Sequence, residues 1–300
     1  MDFKKGKSIS DLAGGVIKKL RTYGELVMFS HTLFSLPFSL VAMFWAAGGA
    51  LPFRVFFWIV VALFGARNGA NALNRLVDKE IDAKNPRTAK RHIPMGIVKE
   101  KEALLIVVFC FALLILAAYE LNPLCLKLLP VAMFFFIIYS YTKRFTWLCH
   151  VILGMACGGA PVGAWIAVTG KIEWPALVLG AAVMFWVAGF DIIYGSQDVD
   201  FDKRFGLHSI PVRFGVKNAL RISSAFHVIS ILLLFYLYFL MKRGFFYLLG
   251  LIIISYFLYL EHKLVSPNDL KHVTIASYDI NQIVSVLFFA FSFLDIFVAG

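Results

Sequence analysis

The sequence predicts an all-α, polytopic integral membrane protein, and three observations carry that expectation. Hydrophobic residues make up 60% of the 300-residue chain and charged residues only 16%, where a soluble domain holds about 45–50% and about 25%. The apolar residues fall in runs of spanning length, which takes roughly 20 residues per helix. The basic residues between those runs alternate in density, as they do when successive loops lie on opposite sides of a membrane. Mean hydropathy, at +0.80, agrees.

Nine runs qualify as spans, near 26–48, 52–76, 102–120, 123–141, 147–168, 174–196, 219–241, 244–262 and 277–298. Turn residues mark off several of them, in GGALP, ELNP, TGKIEWP, KRG and VSPND. The 31 Phe suit lipid-facing helices. The start, MDFKKGKSISDLAGGVIKKL, has no apolar core of signal-peptide type, and residues 1–24 read as a basic amphipathic segment on the cytoplasmic surface. Nothing suggests a soluble domain or a long linker, so residues 1–300 read as a single membrane-embedded domain. Cys110, Cys125, Cys149 and Cys157 have no paired CxxC spacing and read as buried or lipid-facing thiols.

The net charge of +11 raises the question of nucleic acid, but in a membrane protein the sidedness of charge decides more than its total. With the N-terminus inside, the tail and the loops after the second, fourth, sixth and eighth spans hold about 23 of the basic residues, and the outside loops about 5. Arg67 lies within the second span. The expectation is N-in and C-out, with the lipid bilayer as the surroundings and no nucleic-acid partner.

Two spans end in acids on that inner side. The second runs into NRLVDKEID, residues 74–82, and the sixth into DIIYGSQDVDFD, residues 191–202. On a helix, Arg67, Asn71, Asn74, Asp78 and Asp82 share one face, and so do Asp191, Tyr194, Asp198 and Asp202. Polar groups at membrane depth normally face the bundle interior or a wet cavity. A plainly structural reading has Asp78 and Asp82 pairing with Lys79, Arg87 or Arg91 at the interface; two such ends on one side favour a shared site. The two segments that begin at these ends are weak echoes of each other, and a repeat would bring both ends to one central cavity.

Carboxylates and carbonyls form a hard-oxygen site suited to Mg2+, which takes few protein ligands and completes its octahedron with phosphates and waters. Diphosphate is the natural guest, and Arg87, Lys90, Arg91, Lys143, Arg144, Lys203 and Arg204 supply a complementary clamp. An apolar chamber behind such a mouth suits a lipid diphosphate. An allylic substrate would leave a carbocation for aromatic side chains to stabilise.

These segments resemble a known family. NRLVDKEIDAKNPRTAKRHIP is similar to the first Asp-rich motif of the UbiA superfamily of intramembrane prenyltransferases, DIIYGSQDVDFDKRFGLHSIPVRFG to its second, and YSYTKRFTWLCH to the tyrosine and basic-pair segment between them. The resemblance covers most of the chain. It implies nine helices around a central cavity and Mg2+-dependent transfer of a polyprenyl group from its diphosphate. Position by position it implies magnesium–diphosphate ligands at Asn74, Asp78, Asp82, Asp198 and Asp202, and diphosphate contacts at Arg87, Arg91, Lys143 and Arg204. It implies roles near the reacting acceptor for Asp191 and Tyr194. Where many members have Asp after the first Asn, this chain has Arg75.

Within the superfamily, GELVMFSHTLFSLPFSL, NRLVDKEIDAKNPRTA and the late ASYDINQIVS make the sequence resemble most the 4-hydroxybenzoate polyprenyltransferase branch. That implies an aromatic acid acceptor in ubiquinone or menaquinone-type quinone biosynthesis, at a bacterial inner membrane with the site open to the cytoplasm. Arg67 and Asn71, deeper than the metal ligands, are the candidate acceptor-binding residues, and pairing of Arg67 with Asp191 or a helix-end acid is the structural alternative. His31 and His208 titrate in a useful range but read as structural. Naphthoate, haem and lipid acceptors stay open. From a different class, so does a proton- or ion-coupled transporter, although its site would sit near the midplane.

Overall fold

The computed structural model describes residues 19, 21–28, 36–48 and 51–298. Most of the amphipathic reading of residues 1–24, and His31, therefore lie outside the described residues. Within them the chain is helical, with one isolated bridge between Ser266 and Asp269. The helices are α1 (Leu36–Ala47), α2 (Phe53–Val77), α3 (Lys79–Lys84), α4 (Glu100–Leu121), α5 (Pro123–Tyr139), α6 (Cys149–Thr169), α7 (Trp174–Gly195), α8 (Val199–Arg204), α9 (Ile210–Leu240), α10 (Phe245–Lys263) and α11 (Ile280–Val298). Among the described residues seven spans are long and apolar enough to cross a membrane; α1 and α5 are shorter apolar helices. The protein is an integral membrane protein, with Leu105, Phe109 and Phe134 among the large apolar side chains left on its outside.

Local chemistry sets the boundaries. Asn122 caps α5 by accepting from the Leu124 and Cys125 amides at 3.0 Å each, and Pro123 follows it at the first helical position. Ser209 opens α9 in the same way, through the Val212 amide at 3.3 Å. The sequence places the start of that span near 219, but the helix begins at Ile210. The difference lies at Gly215, whose φ of 76° interrupts the helical path, a value that glycine adopts without a Cβ clash. One short turn lies before this break, where Phe214 packs edge-on against Trp147 at 5.3 Å.

Packing follows small residues. α2 lies along α4, α6 along α7, and α7 along α9. At the second of these seams Gly158 faces Gly180, and a Cβ on Gly158 would run into the Gly180 carbonyl. Lipid gives helices no hydrophobic reason to associate, so close backbone approach is what holds such a seam. Gly158→Val is therefore expected to destabilise the protein by about 1–3 kcal/mol, the usual range for overpacking. Gly159→Ala, where an added Cβ meets nothing within 4 Å, should leave the thermal midpoint in detergent unchanged or slightly raised.

The main core gathers α1, α6, α7, α9, α10 and α11, with Ile59 of α2, around Phe38, Trp45, Trp186, Tyr247 and Phe288. Phe38 stacks on Phe288 at 4.4 Å and leans on Trp186 at 4.9 Å. Trp186 also lines the central cavity, so the core backs the cavity wall.

Candidate active site

One cavity of about 290 Å³ opens between α2, α6 and α7. Its first wall is the break between α2 and α3. Asp78 sits at the junction with φ −91° and ψ 5°, and the helical ladder barely lapses. The Asp78 amide donates to Asn74 O at 2.9 Å, and the Asp82 amide to Asp78 O at 2.7 Å. Asn74, Asp78 and Asp82 thus stay on one face. Asn74 Nδ2 donates to Asp78 Oδ2 at 2.9 Å.

The second wall repeats the device. α7 ends at Gly195, one 3-10 turn covers Ser196–Asp198, and α8 begins at Val199. Asp198 has φ −99° and ψ 6°, close to the Asp78 values. Asp82 and Asp202, each four residues further on, are both buried. The echo read weakly from the sequence is thus repeated in the local backbone at both acidic ends.

The loops between supply cations. Asn85 ends α3 and Pro86 prevents its continuation. Asn85 Oδ1 accepts from the Arg87 amide at 3.0 Å, a turn that aims Arg87 across the cavity. Arg87 meets Asp198 through two bonds, Nε to Oδ1 at 2.9 Å and Nη2 to Oδ2 at 2.5 Å, and also bonds the Tyr194 hydroxyl. Arg91 Nη1 reaches both oxygens of Asp82, at 2.6 and 2.7 Å. Lys143 Nζ lies 3.4 Å from Asp202, and Arg144 Nη2 3.0 Å from Asp78. The backbone holds Lys143 in place, since its carbonyl accepts from the His208 amide at 2.7 Å.

Electrostatics follow from these pairs. Burial raises the Asp78 carboxyl above its ordinary value, with Arg144 pulling the other way. Burial disfavours the charge on Arg87, but Asp198 and Tyr194 outweigh it and hold the guanidinium above its ordinary value. Lys143 is raised in the same manner, with Asp202 foremost against burial. Arg87 and Lys143 therefore stay charged whatever the pH of the cell.

Deeper in, Arg67, Asn71, Asp191 and Tyr194 all line the cavity. Arg67 lies seven residues before Asn74, about 10 Å along the helix. Asn71 Nδ2 donates to Val27 O at 2.7 Å, which leaves its side-chain carbonyl for a ligand. Asp191 Oδ2 is bonded to His150 Nδ1 at 2.7 Å, so the Arg67–Asp191 pair that the sequence allows gives way to an Asp191–His150 pair.

A profile of the UbiA prenyltransferase family matches residues 35–293. The chain belongs to the UbiA prenyltransferase family. It is 29% identical over 255 residues to a 4-hydroxybenzoate octaprenyltransferase of Vibrio campbellii, covering 82% of this chain and 87% of that one. It is 33% identical over 204 residues to the protein of the same name from Shewanella pealeana, covering 66% and 69%. Among solved structures, the apo UbiA homolog of Aeropyrum pernix matches with TM-score 0.81 and 30% identity, over 89% of this chain and 98% of that one. A UbiA homolog of Archaeoglobus fulgidus, in a structure bound to GPP and Mg2+, shares the fold with TM-score 0.72 and 21% identity, over 92% and 99%.

In this UbiA prenyltransferase the expected ligand set Asn74, Asp78, Asp82, Asp198 and Asp202 comes together on one cavity, as do Arg87, Arg91 and Lys143. Arg204 does not: it is exposed, off the cavity wall at the end of α8. The short α8 turns its inner face toward Asp202 and points Arg204 away. Arg144 reaches Asp78 instead. Sequence reasoning missed Asn85, which donates to Asp198 Oδ1 at 3.1 Å, and His150. The Asn-Pro pair at 85–86, a turn-forming dipeptide, is a signal that could have found Asn85. No local signal marks His150, because only the fold brings it to a partner 41 positions away. Arg75 lines the cavity too, with Nη2 at 2.7 Å from Met28 Sδ.

The donor set fits Mg2+ with diphosphate. Among the described residues no three acidic, histidine or cysteine side chains converge closely enough to hold an ion by themselves. The carboxylates present only hard oxygens, which suit Mg2+, and each is matched by a cation, the side-chain type that binds phosphate.

Proposed function

We propose that this prenyltransferase uses Mg2+ to transfer a polyprenyl group from polyprenyl diphosphate to an aromatic acid, 4-hydroxybenzoate first, in making a ubiquinone or menaquinone-type quinone. The observation that carries the reading is the pair of acidic helix breaks on one cavity, each carboxylate held by a cation. The relatives named 4-hydroxybenzoate octaprenyltransferase support the acceptor, and the homolog bound to GPP and Mg2+ supports the donor and the metal. The whole chain works as one membrane-embedded domain, N-in and C-out, in a bacterial inner membrane with the mouth toward the cytoplasm. The excess of basic residues on that side supports the orientation.

Asn74, Asp78 and Asp82 on one wall, and Asp198 and Asp202 on the other, would hold the metal. When bound, Mg2+ neutralises the leaving diphosphate and eases C–O cleavage. Arg87, Arg91, Lys143 and Arg144 exchange carboxylate for phosphate oxygens and keep the anion at the mouth. Tyr139, Trp186, Phe190 and Tyr278 line the cavity behind it and offer ring faces to an allylic cation. Arg67 holds the acceptor carboxylate, and Asp191 receives a proton from the acceptor. Tyr194 braces Arg87, whose guanidinium carbon lies 4.7 Å from its ring centre.

The test is a product assay on the purified protein in nanodiscs, with geranyl diphosphate, Mg2+ and a panel of aromatic acids. A prenylated 4-hydroxybenzoate supports the reading; turnover of naphthoate or another quinone precursor alone would replace the acceptor. Arg67→Ala is expected to raise the acceptor KM by about 10²-fold, the weight of a charged hydrogen-bonded contact, with the KM for geranyl diphosphate unchanged. An unaltered acceptor KM would remove Arg67 from the acceptor site.

A further inference from the structure

His150 lines the cavity, is 1% exposed and has no part in the chemistry above. It stands in the first turn of α6 with Nδ1 2.7 Å from Asp191 Oδ2. An ionised carboxylate only accepts, so Nδ1 carries the proton. Nε2 is buried without a hydrogen-bond partner among the described residues. The ring backs onto Gly195, where an added Cβ would stand 2.8 Å from Cε1. Asp191, in contrast, keeps a side chain 22% exposed on the cavity wall.

We propose that His150 is a positioning residue for proton removal: it fixes one oxygen of Asp191 so that the other faces the aromatic acceptor. The inference rests on the aromatic-acid reading above. As the prenyl C1–O bond breaks, its electron pair leaves with the diphosphate, and a π pair of the ring forms the new C–C bond to C1. The C–H electron pair at that ring carbon then restores aromaticity, and the proton goes to Asp191. His150 keeps its own proton throughout. Its contribution is orientation, which matters because a misplacement of about 1 Å can slow a reaction about 10²-fold.

The experiment compares the unsubstituted full-length enzyme with His150→Leu and His150→Asn in nanodiscs, using geranyl diphosphate, Mg2+ and 4-hydroxybenzoate with and without ring deuterium. His150→Leu removes the donor and is expected to lower kcat about 10²-fold, with the KM for geranyl diphosphate unchanged. A primary isotope effect absent from the unsubstituted enzyme should emerge, because proton removal becomes the slow step. His150→Asn places an amide N–H near the former Nδ1 and should recover activity to within about 10-fold, with the isotope effect reduced. A His150→Leu enzyme that turns over normally would overturn the inference. So would one that is slow without an isotope effect and with a raised KM for geranyl diphosphate, which is the mark of a damaged wall. Product from no aromatic acid in the unsubstituted enzyme would overturn the acceptor reading and this inference together.

Discussion

Asp198→Ala and Asp78→Ala are each expected to lower turnover by several orders of magnitude. Each removes a charged oxygen donor from the proposed metal–diphosphate site, and metal stabilisation of a leaving group cannot be supplied by a methyl side chain. The two variants differ in what they do to the fold. The Asp198 side chain is 8% exposed and takes two bonds from Arg87, whereas Asp78 is 23% exposed opposite an Arg144 that is 33% exposed. Breaking a fully buried pair by removing one partner costs about 3–5 kcal/mol and an exposed pair contributes about 1 kcal/mol or less; both pairs here are half-buried and fall between those limits, with Asp198, the less exposed acid, nearer the first. Asp198→Ala, which loses two bonds from Arg87, should therefore lower the thermal midpoint more than Asp78→Ala does, while both lose activity alike. Rate loss that tracked stability loss, with Asp78→Ala nearly normal, would mean that the acidic ends serve the fold rather than the chemistry.

Chelation is the second large effect. With EDTA in excess, turnover of geranyl diphosphate should fall to background, and added Mg2+ should restore it. The reason lies in the charge balance of the mouth. Asp78, Asp82, Asp198 and Asp202 are each matched by one cation. A diphosphate alone would draw those cations away and leave the carboxylates facing its own negative charge. A divalent ion entering with it supplies the missing positive charge, so donor and metal are expected to bind together. The measurement is initial rate against free Mg2+ at fixed geranyl diphosphate. Unchanged turnover in EDTA would contradict this directly.

Much of this site was legible in the sequence because its elements are helices with polar stripes. Asn74, Asp78 and Asp82 repeat at four-residue spacing, and in the fold the ladder passes through the break at Asp78 with hydrogen bonds of 2.9 and 2.7 Å. Spacing on one helix survives folding. What sequence could not reach are the contacts that depend on two helices meeting. The Asp191–His150 pair joins α7 to α6, and the Arg87–Asp198 pair joins the loop after α3 to the turn before α8. Arg204 shows the limit from the other side. It stands two residues after Asp202, and on a helix that spacing places it off the acid's face. The start of α9 moved because the apolar run shows only the later part of the helix, whereas the helix begins earlier, at the Ser209 cap, and passes the break at Gly215 before it reaches that run.

The central claim is that the two acidic helix breaks hold one metal–diphosphate group between them. The most direct measurement is an experimental structure of the protein in lipid with Mg2+ and an unreactive geranyl thiodiphosphate. The expected result is a diphosphate bridged by metal to both Asp78 and Asp198, with Arg87 and Arg91 turned from their carboxylates onto phosphate oxygens. A diphosphate bound elsewhere, with the Arg87–Asp198 and Arg91–Asp82 pairs still closed, would contradict it.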